Sequence, residues 1–338
     1  MKKNHVNIPV FIPHLGCPNM CVFCNQRAIS GVSSFIPDMA EETIETALSS
    51  LDGMADRTEI AFFGGSFTGI DRELMVSLLD LAQSYVEDGR VSGIRMSTRP
   101  DYIDGEIISI LKNYTVKAVE LGIQSTSDKV LAASKRGHTS ECSFRAMTML
   151  REAGFTTVGQ MMIGLPLSTR EDEVKTAEDI CSLGASGSRI YPTIVFRDTE
   201  LYDMTQRGEY VPLTVEDAAL RSADVLEVFV GNGVECIRIG LCDSENLHSD
   251  KTYFAGPNHP ALGEMIIGEV FYKNLRRAMK KVENTDSITV RVPCGAVSAA
   301  VGQKKRNKIR LADEYGVRRI KFVEDSSLTG YNVRIENN

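Results

Sequence analysis

The chain has 338 residues, 43% of them hydrophobic and 25% charged, with a net charge of −7. A chain of this length buries a sizeable core without disulfide staples, and no apolar run approaches the ~18–20 residues of a membrane span. Membrane, collagen-like, disordered and small secreted classes are therefore excluded. The N-terminal stretch carries Lys2 and Lys3, but Pro9 and Pro13 break its apolar run. It reads as a first strand rather than a signal peptide, which makes the cytoplasm the expected compartment.

In chain order, the β-branched and aromatic run Val6–Ile12 is a strand ended by Pro13, and Asp38–Leu51 has helical spacing after Pro37. Ile60–Phe63 is a buried strand running into Gly64-Gly65, followed by an amphipathic helix over Glu73–Val86. The alternation continues with Gly93–Thr98 (strand), Ile103–Leu111 (helix), Ala118–Gln124 (strand) and Ser140–Ala153, a helix stopped by Gly154. Thr157–Leu165 (strand), Arg170–Leu183 (helix, then Gly184) and Ser188–Phe196 (strand) complete it, with the segment after Phe196 making a sixth unit. Repeated strand–helix units with near-continuous apolar strands predict a parallel sheet covered by helices. Polar and glycine residues collect at the strand ends, as on the rim of a barrel. No G-x-G-x-x-G opens the first helix, so a dinucleotide domain is not expected.

The composition then changes. Cys236–Leu241 reads as a strand, Gly256-Pro257-Asn258-His259-Pro260 as punctuation and Ala261–Lys280 as a helix. Ser287–Val292 (strand), Val297–Gly302 (short helix), a basic loop at Gln303-Lys304-Lys305, Arg306–Tyr315 (helix), Val317–Val323 and Tyr331–Ile335 (strands) follow. The expected domains are 1–242 and 243–338. Between Val270 and Lys321 there are 14 Lys/Arg against 4 Asp/Glu, in an otherwise acidic chain. Such asymmetry points to a polyanionic partner for the C-terminal region, or to a plain solvated basic face.

Three of the eight cysteines fall in Cys17-Pro-Asn-Met-Cys21-Val-Phe-Cys24. A structural zinc site needs four ligands, usually as two pairs. Here no second C-x-x-C exists, and the nearby His14 sits at a strand end. A Cys21–Cys24 redox pair would leave Cys17 unexplained. Three thiolates holding a [4Fe–4S] cluster, with the fourth iron open to another ligand, account for the odd number directly. Cys142, Cys181 and Cys294 are isolated, and Cys236 and Cys242, six apart, read as a pair that could hold a ligand or, more simply, as buried small hydrophobes.

Cys17-x3-Cys21-x2-Cys24 after a first strand, in a chain of βα units, resembles the radical S-adenosylmethionine (SAM) superfamily. The resemblance implies an α/β fold, a partial (βα)6 TIM-type barrel. It implies a [4Fe–4S] cluster on Cys17, Cys21 and Cys24, and SAM chelated to the open iron. It further implies reductive cleavage of SAM to methionine and a 5′-deoxyadenosyl radical, with the electron supplied by a donor such as flavodoxin or ferredoxin. Gly64-Gly65-Ser66 stands where the family has Gly-Gly-Glu against the methionine amino group. Ser97 and Arg99 stand where it places polar contacts to SAM. Gln124 and Arg136 resemble the glutamine and the carboxylate-binding arginine of the coproporphyrinogen dehydrogenase-like branch. Gln160 replaces that branch's ribose-binding Asp.

Phe62-Phe63-Gly64-Gly65-Ser66-Phe67-Thr68-Gly69 and Tyr191-Pro192-Thr193-Ile194-Val195-Phe196-Arg197-Asp198-Thr199-Glu200-Leu201-Tyr202 resemble the elongator catalytic subunit (subunit 3) family, which modifies wobble uridine in tRNA. No stretch reads as that family's acetyltransferase domain, so acetyl transfer is not expected. The C-terminal order of strand, helix, Gly302-Gln303-Lys304-Lys305, helix and two strands resembles a small α+β KH-like module, whose G-x-x-G loop clamps nucleic-acid backbone. Lys304, Lys305, Arg306 and Lys308 would place cations near phosphate. The expected function is a radical SAM enzyme acting on tRNA or another RNA. The alternatives are a radical SAM enzyme for a small metabolite such as a tetrapyrrole, and a non-enzymatic cluster or RNA-binding protein.

Overall fold

In the computed structural model the strands and helices alternate as their periodicity predicts. The structure describes residues 5–17, 21–26, 35–37, 39–51, 56, 58–241, 249–282 and 286–337. The chain separates into two compact units, Met1–Pro212 with Phe229–Gly256, and Leu213–Val228 with Pro257–Asn338.

The first unit is built on β1 (Val6–Ile12), β2 (Thr58–Gly64), β3 (Gly93–Thr98), β4 (Val116–Gln124), β5 (Thr156–Ile163), β6 (Gly187–Pro192) and β8 (Glu235–Ile239). These seven strands pair in that order, all parallel, with β1 and β8 at the edges. The sheet curls into a half-barrel flanked by helices, the partial barrel expected from the sequence. The covering helices include α1 (Met39–Leu48), α2 (Arg72–Glu87), α3 (Gly105–Leu111), α4 (Asp128–Ala133), α5 (Ser140–Glu152) and α6 (Arg170–Ser182). Their starts are chemically marked. Asp71 and Asp104 accept hydrogen bonds from Leu74 N and Ile107 N, and Thr169 with Asp172 forms a capping box. Asp38, expected to open α1, lies outside the described residues.

Three features depart from the sequence reading. The strand expected to run to Phe196 stops at Pro192, and Val195–Phe196 (β7) pairs antiparallel with Tyr253–Ala255 (β9) in a separate ribbon. The physical reason is that the neighbouring β5 ends at Ile163, opposite Pro192, so Val195 and Phe196 find their backbone partners in β9 instead. Residues 197–234, given no elements, form α7 (Glu200–Gln206) and α8 (Val215–Gly231). The last strand is β12 (Arg334–Asn337) rather than Tyr331–Ile335.

The second unit contains α9 (Leu262–Met279), β10 (Ser287–Val292), α10 (Val297–Val301), α11 (Arg306–Tyr315), β11 (Arg319–Glu324) and β12. Its sheet order is β11-β10-β12, with β11 parallel and β12 antiparallel to the central strand. Phe271, Leu275, Ile288, Val290, Val292 and Leu311 form its core. No described helix is long and apolar enough to cross a membrane.

Candidate active site at the rim of the half-barrel

The carboxyl ends of the strands surround two adjoining cavities of about 110 and 390 Å³. The smaller is lined by Cys17, Cys21 and Cys24 together with Gly64, Gly65, Ser97, Arg99, Gln124, Arg136 and Gln160. Seven of the eight residues expected to contact a cofactor thus share one wall with the three thiols. The eighth, Ser66, is absent from that lining. Its Oγ accepts from Arg99 N (3.1 Å) and shares a hydrogen bond with Thr98 Oγ1 (2.9 Å), which joins the loops after β2 and β3.

The cysteine loop is held by close backbone packing. Gly65 N and Ser66 N donate to Ile12 O (2.7 Å) and Leu15 O (2.9 Å). A Cβ on Gly65 would stand 2.1 Å from Leu15 O, and one on Gly16 would stand 2.2 Å from Ser66 O. Glycine is required at both positions because the two loops touch backbone to backbone. Between the cysteines, Val22 is buried in a cluster with Val195, Leu201 and Tyr210. Its N–H donates to Ser134 O (3.2 Å) and its carbonyl accepts from Leu201 N (2.8 Å). Gln26 bridges the loop's far end, accepting from His14 N and donating to Gly64 O.

Among the described residues, no group of three or more His, Cys, Asp or Glu converges on a position for a single metal ion. The three thiols line one cavity, as three protein ligands of a single polynuclear cluster would. Burial pushes the Cys17 thiol up, and pushes Cys24 up to about 12, with the neighbouring Cys21 adding to the effect at Cys24. A buried thiol of that kind ionises only against positive charge. Two guanidiniums supply it. Arg136, 7% exposed, donates from Nη1 to Cys21 Sγ (3.4 Å) and from Nη2 to Gly122 O (2.7 Å). Arg99, 2% exposed, is held by Asp101 through Nε (2.9 Å) and Nη2 (2.8 Å). Arg99 Nη1, Arg136 Nε and Gln124 Oε1 are buried without a hydrogen-bond partner. Gln124 sits at a register shift in β4 with φ 66°, a conformation that costs a residue with a side chain about 1 kcal/mol or more.

The larger cavity lies inside the half-barrel. Its walls include Phe11, Phe63, Met162, Tyr191 and Ile194, and it shares Cys24, Ser97, Gln124 and Gln160 with the smaller one. A ladder of charge crosses the sheet there. Glu120, fully buried, accepts from Arg189 Nε (2.6 Å) and Nη2 (2.8 Å), from Arg95 Nη1 (3.2 Å) and from Gln160 Nε2 (2.8 Å). Burial alone would raise the Glu120 carboxyl, but Arg189 and the other donors hold it below the usual carboxylate range. Arg95 continues the ladder to Glu59 (2.8 Å).

The Radical SAM superfamily model matches residues 11–180, half of the chain, and the Radical_SAM C-terminal domain model matches residues 185–271. The chain belongs to the radical SAM superfamily. It is therefore a SAM- and iron–sulfur-dependent enzyme, with a [4Fe–4S] cluster and SAM as its cofactors. It is 28% identical over 239 residues to an uncharacterized protein of Methanocaldococcus jannaschii, covering 67% of this chain and 72% of that one. It is 29% identical over 205 residues to the tRNA uridine(34) acetyltransferase of the same organism, covering 55% of this chain but only 38% of the acetyltransferase. Among solved structures, Methanocaldococcus infernus Elp3 with an N-terminal deletion shares the fold, with a TM-score of 0.64 and 23% identity over 81% of this chain and 64% of that one.

The radical SAM fold explains why the carboxyl rim gathers residues so distant in sequence. The sequence reading missed Asp101, Glu120 and Arg189, which act through other side chains and carry no spacing signal. The Glu in Val-Glu-Leu-Gly-Ile-Gln was still open to notice, as a charge in an otherwise apolar strand. Cys142 and Cys181 are half-buried and Cys294 is exposed, and none of the three lines either cavity. Cys242 lies outside the described residues. The four cations expected to meet RNA are in the second unit. Lys304, Lys305 and Arg306 are exposed and Lys308 is half-buried.

Proposed function

We propose that this radical SAM enzyme modifies RNA, with tRNA as the substrate. The observation that carries the reading is the charge left unpaired on the second unit. None of Lys304, Lys305, Arg306 and Lys308 forms an ion pair with a described residue. Lys273, Arg276, Arg277, Arg291, Arg310 and Arg334 are paired with carboxylates there, and although Lys280, Lys281, Arg319 and Lys321 are also without an ion pair to a described residue, the four are set apart by falling within five residues. The loop bearing the four is anchored at Asn307. Asn307, buried, donates from Nδ2 to Gly268 O (2.7 Å) and Ala300 O (3.2 Å). Lys305 takes φ 63°, the left-handed conformation that glycine adopts readily. Four cations at and just before the start of α11 suit a phosphate backbone. The similarity to a tRNA uridine(34) acetyltransferase supports the same choice of substrate.

In this reading Cys17, Cys21 and Cys24 each bind one iron. The unpartnered Arg136 Nε and Arg99 Nη1 suit a carboxylate, so they take the SAM carboxylate. The backbone at Gly64-Gly65 meets its amino group, and Ser97, Gln124 and Gln160 offer hydrogen bonds to the remaining polar groups. When bound, the cluster supplies the electron that cleaves SAM. Phe11, Phe63 and Tyr191 give the chamber below aromatic walls, and its charge ladder is internally satisfied. The reaction occurs in the cytoplasm, with a flavodoxin or ferredoxin as electron donor.

The decisive experiment compares tRNA nucleosides from wild-type cells and cells lacking the gene by mass spectrometry. A modified nucleoside lost on deletion, restored by the wild type and not by Cys21→Ala, is the expected result. Identical nucleoside profiles, with no binding of bulk tRNA by the purified protein, would remove RNA as the substrate and favour a small metabolite.

A further inference from the structure

The sequence resemblance gives Arg136 a single task, holding a carboxylate. The geometry shows a guanidinium already engaged elsewhere. Nη1 donates to Cys21 Sγ at 3.4 Å and Nη2 donates to Gly122 O at 2.7 Å, and only Nε is buried without a partner. The approach depends on Gly122, where a Cβ would lie 2.7 Å from Nη2. Arg99, the other cationic side chain in the wall, has its charge offset by Asp101. Arg136 has no carboxylate partner among the described residues, so its charge is directed at the thiol.

From this we infer that Arg136 sets the reduction potential of the cluster through Cys21, in addition to any contact with SAM. The inference rests on the reading that Cys17, Cys21 and Cys24 hold the cluster. The step is [4Fe–4S]2+ plus one electron giving [4Fe–4S]+, the electron coming from an external reductant, with no proton moved and no bond broken. Reduction adds negative charge to the cluster and its thiolates. A fixed cation donating a hydrogen bond to one ligand sulfur stabilises that charge more after reduction than before, and so raises the potential. Held in a buried wall, the guanidinium is poorly screened by water.

The test uses the full chain, loaded anaerobically with iron and sulfide, without SAM. The fraction of reduced cluster is read by electron paramagnetic resonance at fixed solution potential, and iron per chain is measured alongside. Arg136→Met should lower the ratio of reduced to oxidised cluster about tenfold, equivalent to about 59 mV for a one-electron couple. Arg136→Lys, which keeps the charge, should fall between it and the wild type. A wild-type ratio in Arg136→Met at full iron content overturns the inference. If that variant loses its cluster, Gly122→Ala displaces the guanidinium while retaining Arg136, and the same drop is expected; no drop there also overturns it. Full iron and an intact cluster in Cys21→Ala refute the ligand assignment instead.

Discussion

At the scale of single residues, the three cysteines of the rim differ from the others in what surrounds them. Cys17, Cys21 and Cys24 share one cavity wall with two guanidiniums, whereas Cys142 and Cys294 line neither cavity. Replacing any of the first three by Ala should abolish iron binding and SAM cleavage. Cys142→Ala and Cys294→Ala should leave iron content, measured after anaerobic loading, unchanged. His138 is a second case, with a side chain only 1% exposed. Burial first, and the nearby Arg136 second, push its pKa down from 6.5 to about 4, against a weaker pull upward from Asp101. Below pH 6.5 the unfolded chain takes up a proton that the folded imidazole refuses. Stability is therefore lost as pH falls from 6.5 towards 4, by up to about 3 kcal/mol. Urea unfolding should show a steeper loss over that window in the wild type than in His138→Asn; parallel curves would mean that His138 is protonated in the folded state.

Elements matter here mainly through the loops that join them. The loop after β1 is shaped by the loop after β2, because Gly16 and Gly65 bring their backbones into contact. Gly65→Ala should thus reduce cluster retention although no ligand is changed, since the new methyl overlaps Leu15 O and displaces the segment leading to Cys17. Iron per chain equal to the wild type would show that the loops can separate without consequence. The turn between α10 and α11 separates conformation from charge. Lys304 and Lys305 have φ of 51° and 63°, where a side chain costs on the order of 1 kcal/mol. Lys305→Gly should leave stability unchanged or raise it by up to about 1 kcal/mol, and yet weaken tRNA binding. Tighter tRNA binding by this variant would mean that loop shape, rather than the cation, makes the contact.

For the whole molecule, the contrast between an acidic chain and a basic C-terminal region is where the proposed RNA substrate can be tested. If three or four phosphates are neutralised by Lys304, Lys305, Arg306 and Lys308, log affinity should fall with log salt at a slope of roughly −2 to −4. Charge reversal at Lys304, Lys305 and Arg306 should flatten that slope and weaken binding, while SAM cleavage in the absence of substrate stays the same. Gel shifts with bulk tRNA at two salt concentrations measure both. Retention that is weak, equal and insensitive to salt in wild type and variant would leave the basic face as solvated surface.

The sequence by itself determined the features that are local in the chain. Strand and helix periodicity, the stop signals Pro13, Gly154 and Gly184, and the cysteine spacing each act over a few residues, so the alternating half-barrel and the cluster motif were legible in advance. Family resemblance extended that legibility to Gly64, Gly65, Ser97, Arg99, Gln124, Arg136 and Gln160, which do meet at one wall. Only the tertiary structure decided which way the side chains face. Ser66 turns into the Thr98 network because the loops after β2 and β3 lie together. Arg136 reaches Cys21, 115 residues earlier, because Val22 N donates to Ser134 O and ties the cysteine loop to the segment after α4. Glu120 collects Arg95, Gln160 and Arg189 from three other strands. A buried charge must find its partners in space, and no local pattern in the chain records where those partners lie.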